Sequence, residues 1–190
     1  MTRPDPGAET RALTLDQLVL ELARAPVSTL THARFLDLAA RLELDDELVA
    51  RRTVFSAEAY ARNLVCRTPE LELLVLCWRP GQHSTIHDHA GSLNAIRVHS
   101  GELTSRVFQR ADASEPGCGP VRPVSEEDFG AGDLTGLDRD GIHQLANATG
   151  EDLVTVHLYA PPLLDVTVYS TDSPGTTRQR LRYSVSDDLA

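Results

Sequence analysis

His87 and His89 stand two residues apart in the run Gly81-Gln82-His83-Ser84-Thr85-Ile86-His87-Asp88-His89. On a strand, alternate residues share a face, so the two imidazoles project together from backbone positions about 6 to 7 Å apart. Their side chains can then converge on one metal ion. Two nitrogens leave such a site incomplete, and His143 is the best candidate for a third ligand. His32, His83 and His99 have no partner pattern and are expected to be structural or surface residues. Imidazole suits iron, copper, nickel and zinc alike, so ligand type alone does not choose the metal.

These residues need a scaffold that holds them together. From about residue 70 onward, short β-rich runs alternate with turn residues: 71–78, 84–89, 93–99, 102–109, 121–125, 133–137, 142–146, 153–159, 165–170 and a last one near 179–185. Many short strands at regular spacing predict an antiparallel sandwich or small barrel. Strand 153–159 places Thr155, His157 and Tyr159 on one face and Val154, Val156 and Leu158 on the other. If the apolar face packs in the core, the polar face lines a cavity. A hydrogen-bonded relay Thr155–His157–Tyr159 is then expected, because a buried imidazole and phenol are costly without partners.

The first part of the chain reads differently. Thr14 followed by Gln17 is a capping-box pattern, and Leu15, Leu18, Val19 and Leu22 recur at helical spacing until Pro26. A second helix is predicted over about 31–43, with Phe35, Leu38 and Leu42 on one stripe, and a short third near Asp46. This predicts an N-terminal helical cap over residues 1–55 and a β unit over 56–190, packed as one domain.

The 190 residues are enough for a proper core, and 41% hydrophobic with 24% charged residues is ordinary for a globular protein. Acidic residues number 28 against 18 Lys and Arg, a formal charge of -10, which argues against a nucleic-acid surface. No apolar run approaches a membrane span, and the start, Met1 to Gly7, lacks the apolar stretch of a signal peptide. A cytoplasmic protein with no membrane partner is therefore expected. Cys66, Cys77 and Cys118 are odd in number and lack CxxC spacing, so neither a disulfide framework nor a Cys-rich zinc site is indicated. Nothing in the sequence sets an oligomeric state.

The spacing Gly81, His87, His89, Asn94, Gly101 resembles the first cupin motif, with Asn94 where many cupins have a glutamate ligand. Gly141-Ile142-His143 and, further on, Asn147 resemble the second, without its usual upstream proline. Tyr60-Ala61-Arg62-Asn63-Leu64-Val65, Leu76-Cys77-Trp78, Ile86-His87-Asp88-His89 and His157-Leu158-Tyr159-Ala160-Pro161-Pro162 follow in the order of the cysteine dioxygenase family. The resemblance covers about residues 55 to 170.

It implies a mostly β cupin barrel or jelly-roll sandwich with N-terminal helices. It implies Fe(II) on His87, His89 and His143, and oxidation of a small thiol to a sulfinic acid with O2. The thiol that the resemblance favours is L-cysteine, since relatives acting on 3-mercaptopropionate carry Gln at the position of Arg62. By the same resemblance Arg62 clamps the substrate carboxylate, for which its planar fork is suited. Tyr60 assists near the substrate, and Tyr159, oriented by His157, steers the reacting oxygen. Animal members have a cysteine at the position of Asn94, cross-linked to the tyrosine. Asn94 cannot make that bond, but it could hydrogen-bond to Tyr159 or narrow the pocket. Readings left open are another small thiol such as 3-mercaptopropionate, or a non-catalytic metal-binding cupin.

Overall fold

The computed structural model describes residues 11–24, 26–111, 120–173 and 175–185. Cys118 and most of the Gly/Pro loop expected at 115–120 lie outside them. Three helices come first: α1 (Leu15–Ala23), α2 (His32–Arg41) and α3 (Asp46–Arg51). The strands follow: β1 (Ala61–Arg67), β2 (Glu72–Trp78), β3 (Ile86–His87), β4 (Leu93–Ser100), β5 (Glu102–Arg110) and β6 (Val121–Gly130). After them come β7 (Leu134–Thr135), β8 (Ile142–Ala146), β9 (Leu153–Ala160), β10 (Asp165–Tyr169) and β11 (Thr177–Arg180).

The strands form two antiparallel sheets, ordered β1-β2-β9-β4-β7 and β11-β10-β3-β8-β5-β6. The expected mostly β architecture is present, as a two-sheet sandwich rather than a closed barrel. The continuous apolar run of β2 now has a physical reason. Leu73, Val75 and Cys77 join the core shared with the helices, whereas Leu74, Leu76 and Trp78 join the core between the sheets. A strand covered on both faces needs no polar alternation. On β9, Val154, Val156 and Leu158 likewise turn to the helical side, so Thr155, His157 and Tyr159 face the interior of the sandwich.

The helices are built as their sequence suggests. Thr14 caps α1 with Gln17 in a reciprocal capping box. Leu18, Leu22, Phe35 and Leu38 then bury against the outer face of the five-stranded sheet. Polar staples fix this layer. Arg97 on β4 donates to the carbonyls of Ala39, Ala40 and Leu42 at the end of α2, and Arg139 donates to those of Val27, Leu30 and Gly91.

Three strand expectations need correction. β1 is a strand that the sequence pattern does not announce. The run 84–89 keeps ladder pairing only at Ile86–His87, because Asp88 and the positive-φ pair Ala90 and Gly91 turn the chain out of the sheet. The run near 179–185 splits into β11 and a segment that lies along β1, where Ser184 N–H donates to Arg62 O and Leu64 N–H donates to Val185 O. No helix among the described residues is long and apolar enough to cross a membrane.

Candidate active site

His87 on β3 pairs directly with His143 on β8, and His89 follows two residues on. The turn after β3 is fixed by Asp88, whose carboxylate accepts from the backbone N–H groups of Ala90 and Thr167 and from the Tyr169 hydroxyl at 3.0 Å. With its neighbour so anchored, His89 swings under the sheet toward His143. Ligand nitrogens of the three histidines lie within 4.8 Å of one another, all three residues are buried, and no carboxylate among the described residues joins the cluster. His32 and His99 are not part of it. His32 approaches the Asn94 carbonyl at 3.3 Å, and His99 is exposed at the end of β4.

The donor set fits a metal ion. His87 Nδ1 lies 2.8 Å from the Thr85 carbonyl, which can only accept, so Nδ1 carries the hydrogen and Nε2 keeps a free lone pair. His89 Nε2 and His143 Nε2 are 3.0 Å apart. Two ligands at right angles, each about 2.1 Å from one ion, have about that separation. Burial lowers the pKa of all three. Repulsion among the imidazoles adds to this for His143 and for His89, which falls to about 3. All are therefore neutral near pH 7, the form that ligates metal.

A cavity of about 220 Å³ opens beside the cluster, with Tyr60, Arg62, Trp78, His87, His157 and Tyr159 on its wall. Arg62 comes from β1, and its Nε and Nη2 are buried without a hydrogen-bond partner among the described residues. Its guanidinium carbon sits 6.0 Å from the centre of the Tyr159 ring. Tyr60 stacks on Trp78 with ring centres 4.2 Å apart.

The expected relay forms on β9. Trp78 Nε1–H donates to Thr155 Oγ1 at 2.9 Å, Thr155 Oγ1 lies 2.9 Å from His157 Nε2, and His157 Nδ1 lies 3.0 Å from the Tyr159 hydroxyl. Indole can only donate, so Thr155 accepts from Trp78 and is free to give its own hydrogen to His157 Nε2. His157 then carries its hydrogen on Nδ1 and donates to the Tyr159 oxygen. The Tyr159 hydrogen is thereby left to point elsewhere. Burial pushes the Tyr159 phenol well above its ordinary range, so it stays protonated. Burial likewise keeps His157 neutral.

The family model for cysteine dioxygenase type I matches residues 10–172. The chain belongs to the type I cysteine dioxygenase family. Cysteine dioxygenase type 1 from Danio rerio is 33% identical over 112 residues, covering 57% of this chain and 54% of that protein. The enzyme of the same name from Rattus norvegicus is 31% identical over 111 residues, with the same shares covered. The chain thus spans about half the length of the curated relatives it matches. Among solved structures, the TT1209 protein from Thermus thermophilus has a TM-score of 0.50 at 18% identity, covering 63% of this chain and 96% of that one. That likeness bears on the fold.

Asn94, singled out in the sequence at a motif position where a glutamate is common, has a definite place in the structure. It is the direct cross-strand partner of Tyr159, so the two side chains share a face. Its Oδ1 is engaged by the Leu137 N–H at 2.7 Å, and its buried Nδ2 has no partner among the described residues. Gly136 packs so close that a Cβ there would lie 2.3 Å from the Asn94 carbonyl oxygen, which pins this residue against the loop before β8.

Two residues escaped the sequence reading. His83, expected to be structural or at the surface, is exposed but also lines the cavity. Glu72 is fully buried and pairs with Arg62, Nη2 to Oε2 at 3.6 Å. The available signal was a charged residue at an inward position of an otherwise apolar strand.

Proposed function

We propose that this protein is an iron-dependent thiol dioxygenase that converts L-cysteine and O2 to cysteine sulfinic acid. The observation that carries the reading is Arg62, whose Nε and Nη2 are buried without a hydrogen-bond partner among the described residues, on a side chain that lines a cavity with His87 and Tyr159. Leaving such donors unpaired costs about 1–3 kcal/mol each. A substrate carboxylate satisfies both at once through a bidentate pair. A small amino acid suits a cavity of about 220 Å³.

His87, His89 and His143 are the residues that would hold the metal. Ferrous iron there supplies affinity for the thiolate and the redox chemistry that lets a thiol react with O2. Because the three histidines are neutral, they would hold the ion without cancelling any of its charge. Both atoms of O2 end on the sulfur, so the reaction needs no other reductant and has no leaving group.

The chain supplies orientation and a dry pocket. Arg62 anchors the carboxylate, and Tyr60, stacked on Trp78, walls the substrate side. Tyr159, held by His157, offers its hydroxyl hydrogen to oxygen or sulfur in the cavity. Its high pKa keeps it a hydrogen-bond donor rather than a proton source. Asn94 cannot form a thioether, so Tyr159 works here as a free phenol.

The test is sulfinate formation from L-cysteine by anaerobically iron-loaded protein after air is admitted, with His89→Ala as control. Stoichiometric oxygen uptake and sulfinate are expected from the parent protein and neither from the variant. Uptake with 3-mercaptopropionate alone would move the substrate assignment to that thiol. No uptake with any thiol would leave a non-catalytic metal-binding protein.

A further inference from the structure

We propose that Glu72 is the resident counter-ion of Arg62, and that binding of a carboxylate-bearing thiol draws a proton from solvent onto Glu72. This rests on the reading of Arg62 as the carboxylate clamp. Glu72 therefore acts as a positioning and affinity-setting residue that never touches the reacting atoms.

The geometry points this way. Glu72 is the cross-strand partner of Tyr159, so its side chain shares the inner face with the Tyr159 ring. The Arg62 guanidinium lies near that same ring, with Nη2 3.6 Å from Glu72 Oε2. This is an ion pair without a hydrogen bond, and neither atom has another partner among the described residues. The other Glu72 oxygen accepts from the Tyr183 hydroxyl, which in turn accepts from Arg67 Nη1 at 3.1 Å.

Behind the cavity wall, Arg62 and Glu72 thus set one cation against one anion in a nearly water-free place. A second carboxylate on Arg62 turns that balance into one cation and two anions. In low dielectric, like charges this close disfavour double ionisation, and one group takes up a proton. The substrate carboxylate gains the two Arg62 donors, so the proton goes to Glu72. The groups facing Glu72 are Arg62 and Arg67 from β1, Tyr159 from β9, and Tyr183 and the Leu163 N–H from the C-terminal part of the chain. Burial already raises the Glu72 pKa, and hydrogen bonding from Tyr183 and the charge of Arg62 offset only part of this.

The linkage has a definite sign. Binding raises the Glu72 pKa, so affinity for the carboxylate thiol is highest where Glu72 is already protonated. It falls as pH rises through the free-state pKa, by up to about tenfold per pH unit. A thiol without a carboxylate shows no such term.

The experiment is anaerobic calorimetric titration of the iron-loaded full chain with L-cysteine and, separately, with cysteamine. Each is run in buffers of different ionisation heat over about pH 5 to 9. Both thiols release the same sulfhydryl proton on binding, so the difference between them isolates the carboxylate. Cysteine is expected to take up as much as one proton more than cysteamine where Glu72 starts ionised. In Glu72→Gln that difference disappears, and cysteine binds about tenfold tighter at the high end, with kcat changed far less than KM. If Glu72→Gln does not fold, Tyr183→Phe serves. Loss of a donor to the carboxylate makes Glu72 easier to protonate, so the fall in cysteine affinity moves to higher pH. Equal proton counts for both thiols in the parent protein, or weaker cysteine binding by Glu72→Gln, overturns the proposal. A correct proton difference without oxygen uptake would instead remove the dioxygenase reading and leave Glu72 in its role.

Discussion

His87 and His143 are direct partners across the β3–β8 pair, so two sequence motifs far apart in the chain are joined by backbone register. A slip of one residue in this pairing would turn one of the two imidazoles to the opposite face. The three-histidine cluster is thus specified by the same hydrogen bonds that build the six-stranded sheet. Replacing His143 by Ala removes one imidazole of the cluster without touching that backbone. Iron affinity is expected to fall at least about a hundredfold, with the circular dichroism spectrum unchanged. Iron content after desalting measures it.

Thr155 links a residue that can only donate to one that must accept. Thr155→Val leaves the Trp78 N–H and His157 Nε2 buried without partners, at about 1–3 kcal/mol each. Thermal denaturation should show a lower Tm, and kcat should fall more than KM rises because Tyr159 loses its orientation. Thr155→Ser keeps the hydroxyl and should restore both.

Arg62→Gln keeps a polar side chain but loses the charged fork. Two charge-assisted bonds at about 1.5–3 kcal/mol each give a rise in KM for L-cysteine of at least tenfold. Cysteamine, which has no carboxylate, should be much less affected. Oxygen uptake with the two thiols side by side decides it. Equal losses for both would remove Arg62 from carboxylate recognition.

Cys77 is fully buried and its thiol is pushed up to about 11 by burial. In the unfolded chain it ionises near the ordinary thiol value, so above that pH the unfolded state binds fewer protons than the folded one. Stability contributed by this group is therefore full below the unfolded pKa and declines as pH rises toward about 11. Urea denaturation from pH 8 upward should show the decline, and Cys77→Ala should flatten it. In the folded parent, thiol reagents at pH 8 should leave Cys77 unlabelled.

Phe35 is fully buried where α2 meets the five-stranded sheet. Phe35→Ala should destabilise the fold by about 3–5 kcal/mol. His87 and His143 stand on the other sheet, so KM for cysteine should stay within about twofold at temperatures where the variant is folded.

The sequence was most readable where chemistry and period coincide. The alternation on β9 and the capping box at Thr14 follow from local rules and appear in the structure, whereas His89 reaches the cluster from beyond the end of β3 rather than from a shared strand face. What stayed hidden depends on distant partners. Ala61–Arg67 carries charges at both ends and too few apolar residues to announce a strand, yet β2 on one side and the segment at Val185 on the other pair with it. Glu72 is concealed for a different reason. A strand buried on both faces loses the alternation that would mark one inward position, so only the fold reveals its ion pair with Arg62. His83 reaches the cavity through an isolated bridge to Ala146, which no local pattern encodes.

β6, one of the two edge strands of the six-stranded sheet, has no ladder partner along its outer rim among the described residues. Pro123 interrupts the rim, and Glu126, Glu127 and Asp128 stand along it. A neighbouring molecule docking rim to rim would meet a proline without an amide hydrogen, and acidic side chains of which Glu126 is paired with Arg106 and Asp128 accepts from Thr104. The strand least involved in chemistry thus carries features that disfavour edge-to-edge pairing. Neutralising those three carboxylates would show itself first in a concentrated solution turning cloudy, long before any change in catalysis.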